Sequence, residues 1–288
     1  MIRLANDTMS ALIDLKGAEL KSLRNTRSGI EYIWNSDPAF WAKSSPVLFP
    51  IVGQLKGNKY VFEGKEYSLP RHGFARDFNY TPEIVDEARA MFRLASNEQT
   101  RIVYPLDFEL LIAYELIDTS LTVSYTVNNR SSRRMWFSLG AHPAFNVPLV
   151  KGNSYADYFL QFEKAESALQ WPITSAGLIA KNPHPFFTSS RLPLTHDLFY
   201  NDALVFKGLI SKKISILANN DQHGIDFSFQ DFPFFGIWAA PNANFVCLEP
   251  WCGIADSEDH DHLLANKEGI ETLDPDKSWK RAWSVQTF

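Results

Sequence analysis

No long stretch of this chain keeps apolar residues at helical spacing; what recurs instead is a short apolar run, closed by turn residues, and then another. Leu12-Ile13-Asp14-Leu15 is followed by Gly17, and after it come Glu31-Tyr32-Ile33-Trp34, Phe40-Trp41 and Pro46 to Gly53, whose two prolines exclude a helix interior. Residues 59–67 read as a hairpin closed around Glu63-Gly64. From Pro82 to Leu94 two patterns compete. Ile84, Ala88, Met91 and Phe92 could form a helical stripe, while Ala90, Phe92 and Leu94 alternate; the neighbouring strands favour the second. Phe108 to Leu116 and Leu121 to Val127 alternate more strictly, with Asp118-Thr119-Ser120 as the turn between them. Pro, Gly, Asn and Ser crowd into Pro148–Tyr158 and Asn182–Pro193, which are expected to be surface loops. Strands resume at Ala203–Phe206, Lys213–Leu217, Gly224–Phe229, Phe234–Trp238 and along Asn244–Trp251. The expected fold class is all-β, a large antiparallel sandwich.

A chain of 288 residues could hold two domains, but sandwiches reach this size as one, and a single domain over 1–288 is expected. With 45% hydrophobic and 14% aromatic residues the chain can bury a large core. Its net charge of -5, with no run of Lys or Arg, argues against a nucleic-acid partner and against anionic lipid. The first residues lack the pattern of a signal peptide, and no segment approaches the roughly 18 apolar residues of a membrane span, so a cytoplasmic protein is expected. Cys247 and Cys252 are too few and too close for a disulfide framework and read as reduced thiols, Cys247 as core or pocket wall.

Three stretches could carry chemistry. Alternation along Asn244–Trp251 puts Phe245, Cys247 and Glu249 on one face, so that a lone carboxylate ends an apolar strand. Glu249 either faces solvent, pairs with an arginine, or serves a site. His142 follows the apparent strand Met135–Leu139; Pro143 biases it toward extended backbone, and Gly140 and Ala141 leave room for something to approach. Taken alone, it is better explained by a core hydrogen bond. His72 shares a Pro- and Gly-containing loop with Arg71 and Arg76, donors suited to sugar hydroxyls or a phosphate, although Arg76 could instead pair with Asp77 and tie the loop down. The Asp256–His262 segment superficially resembles a metal site, but its crowded spacing fits neither zinc nor an EF-hand loop, and a solvated acidic loop is expected. Nucleophile-elbow, phosphate-loop and dinucleotide signatures are all missing.

The sequences Arg71-His72-Gly73-Phe74-Ala75-Arg76, Gly140-Ala141-His142-Pro143-Ala144-Phe145 and Cys247-Leu248-Glu249-Pro250-Trp251-Cys252-Gly253-Ile254-Ala255-Asp256, in that order, resemble the aldose 1-epimerase (galactose mutarotase-like) family, and within it the LacX-like branch. The resemblance runs from Phe49-Pro50-Ile51-Val52-Gly53 to the neighbourhood of Trp283. It implies a single-domain β-supersandwich with a sugar site on its concave face, His142 as general acid, Glu249 as general base and His72 as a second histidine contacting the sugar. Asp202 matches the family's hydroxyl-binding aspartate, with Asp197 a competing position. The early arginine of typical galactose mutarotases has no counterpart in Gly53-Gln54-Leu55-Lys56.

Interconverting sugar anomers needs a base at the anomeric hydroxyl and an acid at the ring oxygen, and no metal or organic cofactor. Glu249, with a reference pKa of about 4.3, is expected to be ionised, and a neighbouring carboxylate would raise His142 above about 6.5. Trp238 could stack on the sugar. The implied partner is a small hexose, free or, given Arg71 and Arg76, phosphorylated at position 6; oligomeric state leaves no mark in the sequence. A non-catalytic carbohydrate-binding protein, or a glycosidase pairing Glu249 with Asp202, are the rival readings.

Overall fold

A computed structural model describes all residues, 1–288, and is almost entirely β. Its one α-helix, Glu98–Val103, is a single short stretch capped by Asn97, whose side chain accepts from the Thr100 N–H. No helix is long and apolar enough to cross a membrane.

Fourteen strands form one antiparallel sheet. Its path starts at Leu139–Gly140 and crosses Phe245–Cys252, Phe234–Trp238, Leu204–Lys207, Tyr158–Gln170 and Lys213–Ala218, then continues through Ile225–Ser228 and Ser278–Thr287 to Ser120–Asn129, Phe108–Ile117, Arg89–Ala95 and Thr81–Ile84. Alternation explains why the middle holds. Leu121, Val123, Tyr125 and Val127 turn inward from Ser120–Asn129, which is paired along both edges. Each such side chain, taken from water to full burial, contributes about 1.5–3 kcal/mol. The sheet folds over on itself: the Phe145 and Phe227 rings lie 5.7 Å apart although their strands are far apart in the sheet order. What it wraps is one cluster of 74 buried apolar residues. This is the all-β antiparallel supersandwich expected.

The hairpin of Lys59–Phe62 and Lys65–Ser68 turns through Glu63 and Gly64, both at positive φ, as a two-residue hairpin turn of right-handed strands requires. The region around Pro82–Leu94 is two strands, as alternation suggested. Two expectations need correction. Glu31–Trp34 and Pro46–Gly53 make only isolated bridges, because prolines and side-chain hydrogen bonds interrupt any ladder there. Asn182–Pro193 is not a loop, since His184–Pro193 pairs with the 13-residue strand Tyr158–Gln170 through two register shifts. It hydrogen-bonds that one neighbour only, and an unpaired edge tolerates the prolines and exposed polar residues that made it look like a loop.

Candidate active site

Phe245–Cys252 is paired along one side with Phe234–Trp238 and along the other with Leu139–Gly140 and then Ala144–Asn146. All eight of its residues are buried, so Glu249 lies within a fully covered strand and not at its end. Register on the second side is unbroken: Gly140 faces Trp251 and Ala144 faces Cys247, which sets His142 directly opposite Glu249. The pairs flanking them keep one bond each, from the Ala141 N–H to the Pro250 carbonyl and from the Leu248 N–H to the Pro143 carbonyl. Proline has no N–H to return the second. His142 and Glu249 are thus a non-hydrogen-bonded cross-strand pair, the type in which side chains come closest. His142 Nε2 is 3.1 Å from Glu249 Oε2, with 10% and 2% of the side chains exposed. The room left at Gly140 is filled by the Trp251 indole, which also covers Gly236.

These two groups open onto a pocket of about 460 Å³. Trp41 stacks on the His142 ring at 4.9 Å, and Trp238 meets it edge-on at 5.7 Å. Trp41 escaped the sequence reading as a site residue because its loop carries no polar motif; its only signal was an aromatic pair ahead of Pro46. His72, at φ 69°, is held by a reciprocal pair with Gly53: its N–H donates to the Gly53 carbonyl at 2.9 Å, and its Nδ1 accepts the Gly53 N–H at 3.1 Å. With Nδ1 as acceptor, the neutral ring carries its proton on Nε2. The ring lies 5.9 Å from that of His142.

Arg71, Arg76 and Asp202 line the same pocket. Arg71 Nη2 lies 3.4 Å from Asp202 Oδ1, while its Nε is buried without a protein acceptor. Arg76 does tie the loop, but chiefly by donating to the Arg71 carbonyl at 2.8 Å; Asp77 is 3.9 Å away. Asp202 Oδ1 also accepts the Ala203 N–H at 2.7 Å. Asp197, in the turn His196–Phe199, is exposed and does not line the pocket. Every site residue singled out in the sequence except Asp197 therefore meets in one place.

Burial pushes the Glu249 carboxyl well above the usual carboxylate range; Arg71 pulls it back and Asp202 pushes it further up. Burial, with smaller contributions from Arg76 and Arg71, lowers the His142 imidazole to about 3. These directions run against the expected ionised Glu249 and protonated His142. Both shifts favour the uncharged forms, because burial against the aromatic rings of the pocket disfavours either charge. His72 is lowered by burial first, then by His142, Arg71, Arg76 and Lys267.

The Asp256–His262 segment is not a solvated loop at both ends: Asp256 and His260 are buried, and Asp256 accepts from Lys267 at 2.9 Å. Potential metal-ligand atoms cluster elsewhere, on His142, Cys247 and Glu249, all within 4.8 Å of one another. Their chemistry does not suit a cation, since burial and the neighbouring Glu249 hold the Cys247 thiol well above its usual value and two guanidinium groups face the same pocket.

An antiparallel supersandwich with an imidazole and a carboxylate opposed at the floor of an aromatic pocket belongs to the class of galactose mutarotase-like folds. The chain belongs to the aldose 1-epimerase family, matched over residues 1–285. It is 31% identical to the plasmid-encoded protein LacX of Lactococcus lactis subsp. lactis over 294 aligned positions, covering 99% of this chain and 98% of LacX. Among solved structures it resembles a galactose mutarotase-related enzyme of Lactobacillus acidophilus (TM-score 0.95, 33% identity, 100% and 97% of the two chains). A galactose mutarotase-like protein of Lactobacillus casei is similarly close (TM-score 0.93, 32% identity, 100% of both chains).

Proposed function

We propose that this chain, acting as one domain, is a cofactor-independent mutarotase that interconverts the α and β anomers of a hexose. The observation that carries the reading is the His142–Glu249 contact of 3.1 Å inside a pocket that also presents His72 and Asp202. The pair holds one proton, which crosses that contact to His142 when a polar sugar and the Arg71 guanidinium favour the carboxylate. Glu249 then removes the proton of the anomeric hydroxyl while the His142 imidazolium protonates the ring oxygen. The bond between the anomeric carbon and the ring oxygen breaks, the aldehyde rotates, and the ring closes on its other face. Both protons return, so the pair again carries one. His72 Nε2–H and Asp202 serve the sugar hydroxyls as donor and acceptor, Arg71 orients Asp202, and Trp238 with Trp41 covers the apolar ring face.

General acid and base each contribute about 10²–10⁴-fold. Polarimetry on freshly dissolved α-glucose and α-galactose should register faster equilibration with the protein, and Glu249→Gln should remove at least about 10²-fold of it. No acceleration with any aldose, or full acceleration by Glu249→Gln, overturns the reading. A hexose 6-phosphate is the second substrate reading, favoured by the Arg76 guanidinium, which lines the pocket with its nearest carboxylate 3.9 Å away. It requires a preference for the phosphorylated sugar that Arg76→Ala abolishes. Calorimetric sugar binding without anomer exchange would mark a binding protein instead.

A further inference from the structure

Behind the pocket wall, Lys267 Nζ donates to Asp256 Oδ1 at 2.9 Å, and both side chains are wholly buried. Neither residue lines the pocket, and the reaction outlined above uses neither. Burying two charges costs several kcal/mol each, so such a pair is weak evidence of stabilisation by itself. Its connections give it another purpose. Asp256 Oδ2 accepts the Lys56 N–H at 2.9 Å, and the Asp256 N–H donates to the Gln54 carbonyl at 2.9 Å. The Asp256 carbonyl in turn accepts from Ile179, a pocket residue, also at 2.9 Å.

One aspartate therefore grips Gln54–Lys56 through both its side chain and its backbone. The residue immediately before that segment is Gly53, whose N–H and carbonyl hold His72. Gly53, at φ 72°, lies so close to Ala255 that a Cβ there would sit 2.5 Å from the alanine methyl. The line of contacts runs from Lys267 to Asp256, through Gln54–Lys56 to Gly53, and ends at Nδ1 of His72. Other groups against Asp256 are His260, whose Nδ1 is 3.3 Å away, and Lys56, whose Nζ donates to the His260 carbonyl at 3.1 Å.

We propose that Asp256 and Lys267 are positioning residues for His72. The buried pair fixes Gly53–Lys56 so that the Gly53 N–H occupies Nδ1 and leaves His72 a neutral donor through Nε2, aimed into the sugar pocket. The proposal rests on the sugar-site reading for its kinetic consequence alone; the state of His72 can be read without any sugar.

The test is long-range ¹H–¹⁵N NMR of the imidazole nitrogens in wild type, in Lys267→Met and in the double variant Asp256→Asn/Lys267→Met, alongside mutarotation kinetics on a free aldohexose. The double variant leaves no unpaired buried charge and is the one expected to fold. Wild-type His72 should be the Nε2–H tautomer and resist protonation. In the folded double variant both tautomers should appear, His72 should protonate at higher pH, and KM should rise roughly tenfold with kcat little changed, the mark of lost ground-state positioning. An Nδ1–H tautomer in wild type overturns the proposal whether or not either variant folds. An unchanged His72 tautomer and an unchanged KM in a folded double variant overturn it as well. If wild type accelerates no sugar, the functional reading fails while the NMR comparison still decides the positioning role.

Discussion

In the proposed reaction, the proton shared by Glu249 and His142 sets the pH range over which this site works. That reaction needs one proton on the pair: two block the base, none leaves no acid. The second proton is added only below the lowered His142 value, and the last is lost only above the raised Glu249 value. The acid limb of kcat/KM should therefore lie well below the ordinary imidazole pKa of about 6.5, and the alkaline limb well above the ordinary carboxylate pKa of about 4.3, each limb belonging to the pair as a whole. Initial mutarotation rates across pH check this; an acid limb at or above about 6.5 contradicts the direction assigned to His142. The identities of both groups were legible, since each stands in a distinctive motif and is followed by proline. Their protonation was not, because reference pKa values describe groups in water, and the aromatic cover comes from Trp238 on the neighbouring strand and from Trp41, about a hundred residues before His142.

Among the elements, Phe245–Cys252 and the strands on its two sides owe their geometry to what is missing from them. Gly140 and Gly236 lie on opposite sides of this strand, and a Cβ at either would sit 2.6 or 2.5 Å from the Trp251 indole. Gly236→Ala should lower stability by about 1–3 kcal/mol through overpacking and shift the indole that lines the pocket, measurable by denaturant unfolding and by tryptophan fluorescence. Unchanged stability and fluorescence would mean that the added methyl does not press on the indole. Alternation along this strand was readable, and Phe245, Cys247 and Glu249 do share a face. Its burial on both faces was not, because that depends on partners a hundred residues upstream. The edge strand His184–Pro193 was hidden for the opposite reason. With one partner and little burial, it needs no apolar pattern to survive.

For the whole molecule, acid resistance should depend on a carboxylate remote from the pocket. Glu109 accepts from Arg93 at 2.6 Å, from Arg130 at 2.7 Å and from Asn128 at 2.8 Å, tying three neighbouring strands. These bonds, Arg93's first, hold its carboxyl down to about 2. A folded-state value below the unfolded one contributes stability that is complete above about pH 4 and is lost as pH falls toward 2. Both arginines are about half exposed, which screens the interaction. Glu109→Gln should thus cost about 1–2 kcal/mol at neutral pH and flatten the stability profile between about pH 4 and 2, by urea unfolding at several pH values. An unchanged acid profile would assign the acid sensitivity to other carboxylates. The fold class was legible from the repeated short runs, whereas the order in which the strands line up was not, since alternation gives each strand an inner face without choosing its neighbour.

That order determines when the molecule becomes competent as it is made. His142 waits for a strand more than a hundred residues later, and Lys56 meets Asp256 across 200 positions. A nascent chain that has not yet released Phe245–Cys252 has an imidazole with no carboxylate opposite it, a His72 loop without its brace and a sheet whose pocket end stays open. Long-range closure of this kind is slow, because the entropy of a large loop must be overcome before its contacts form. On the proposed mutarotase reading, partial products of synthesis should therefore be inert toward sugars, and activity should arrive only with the final strands.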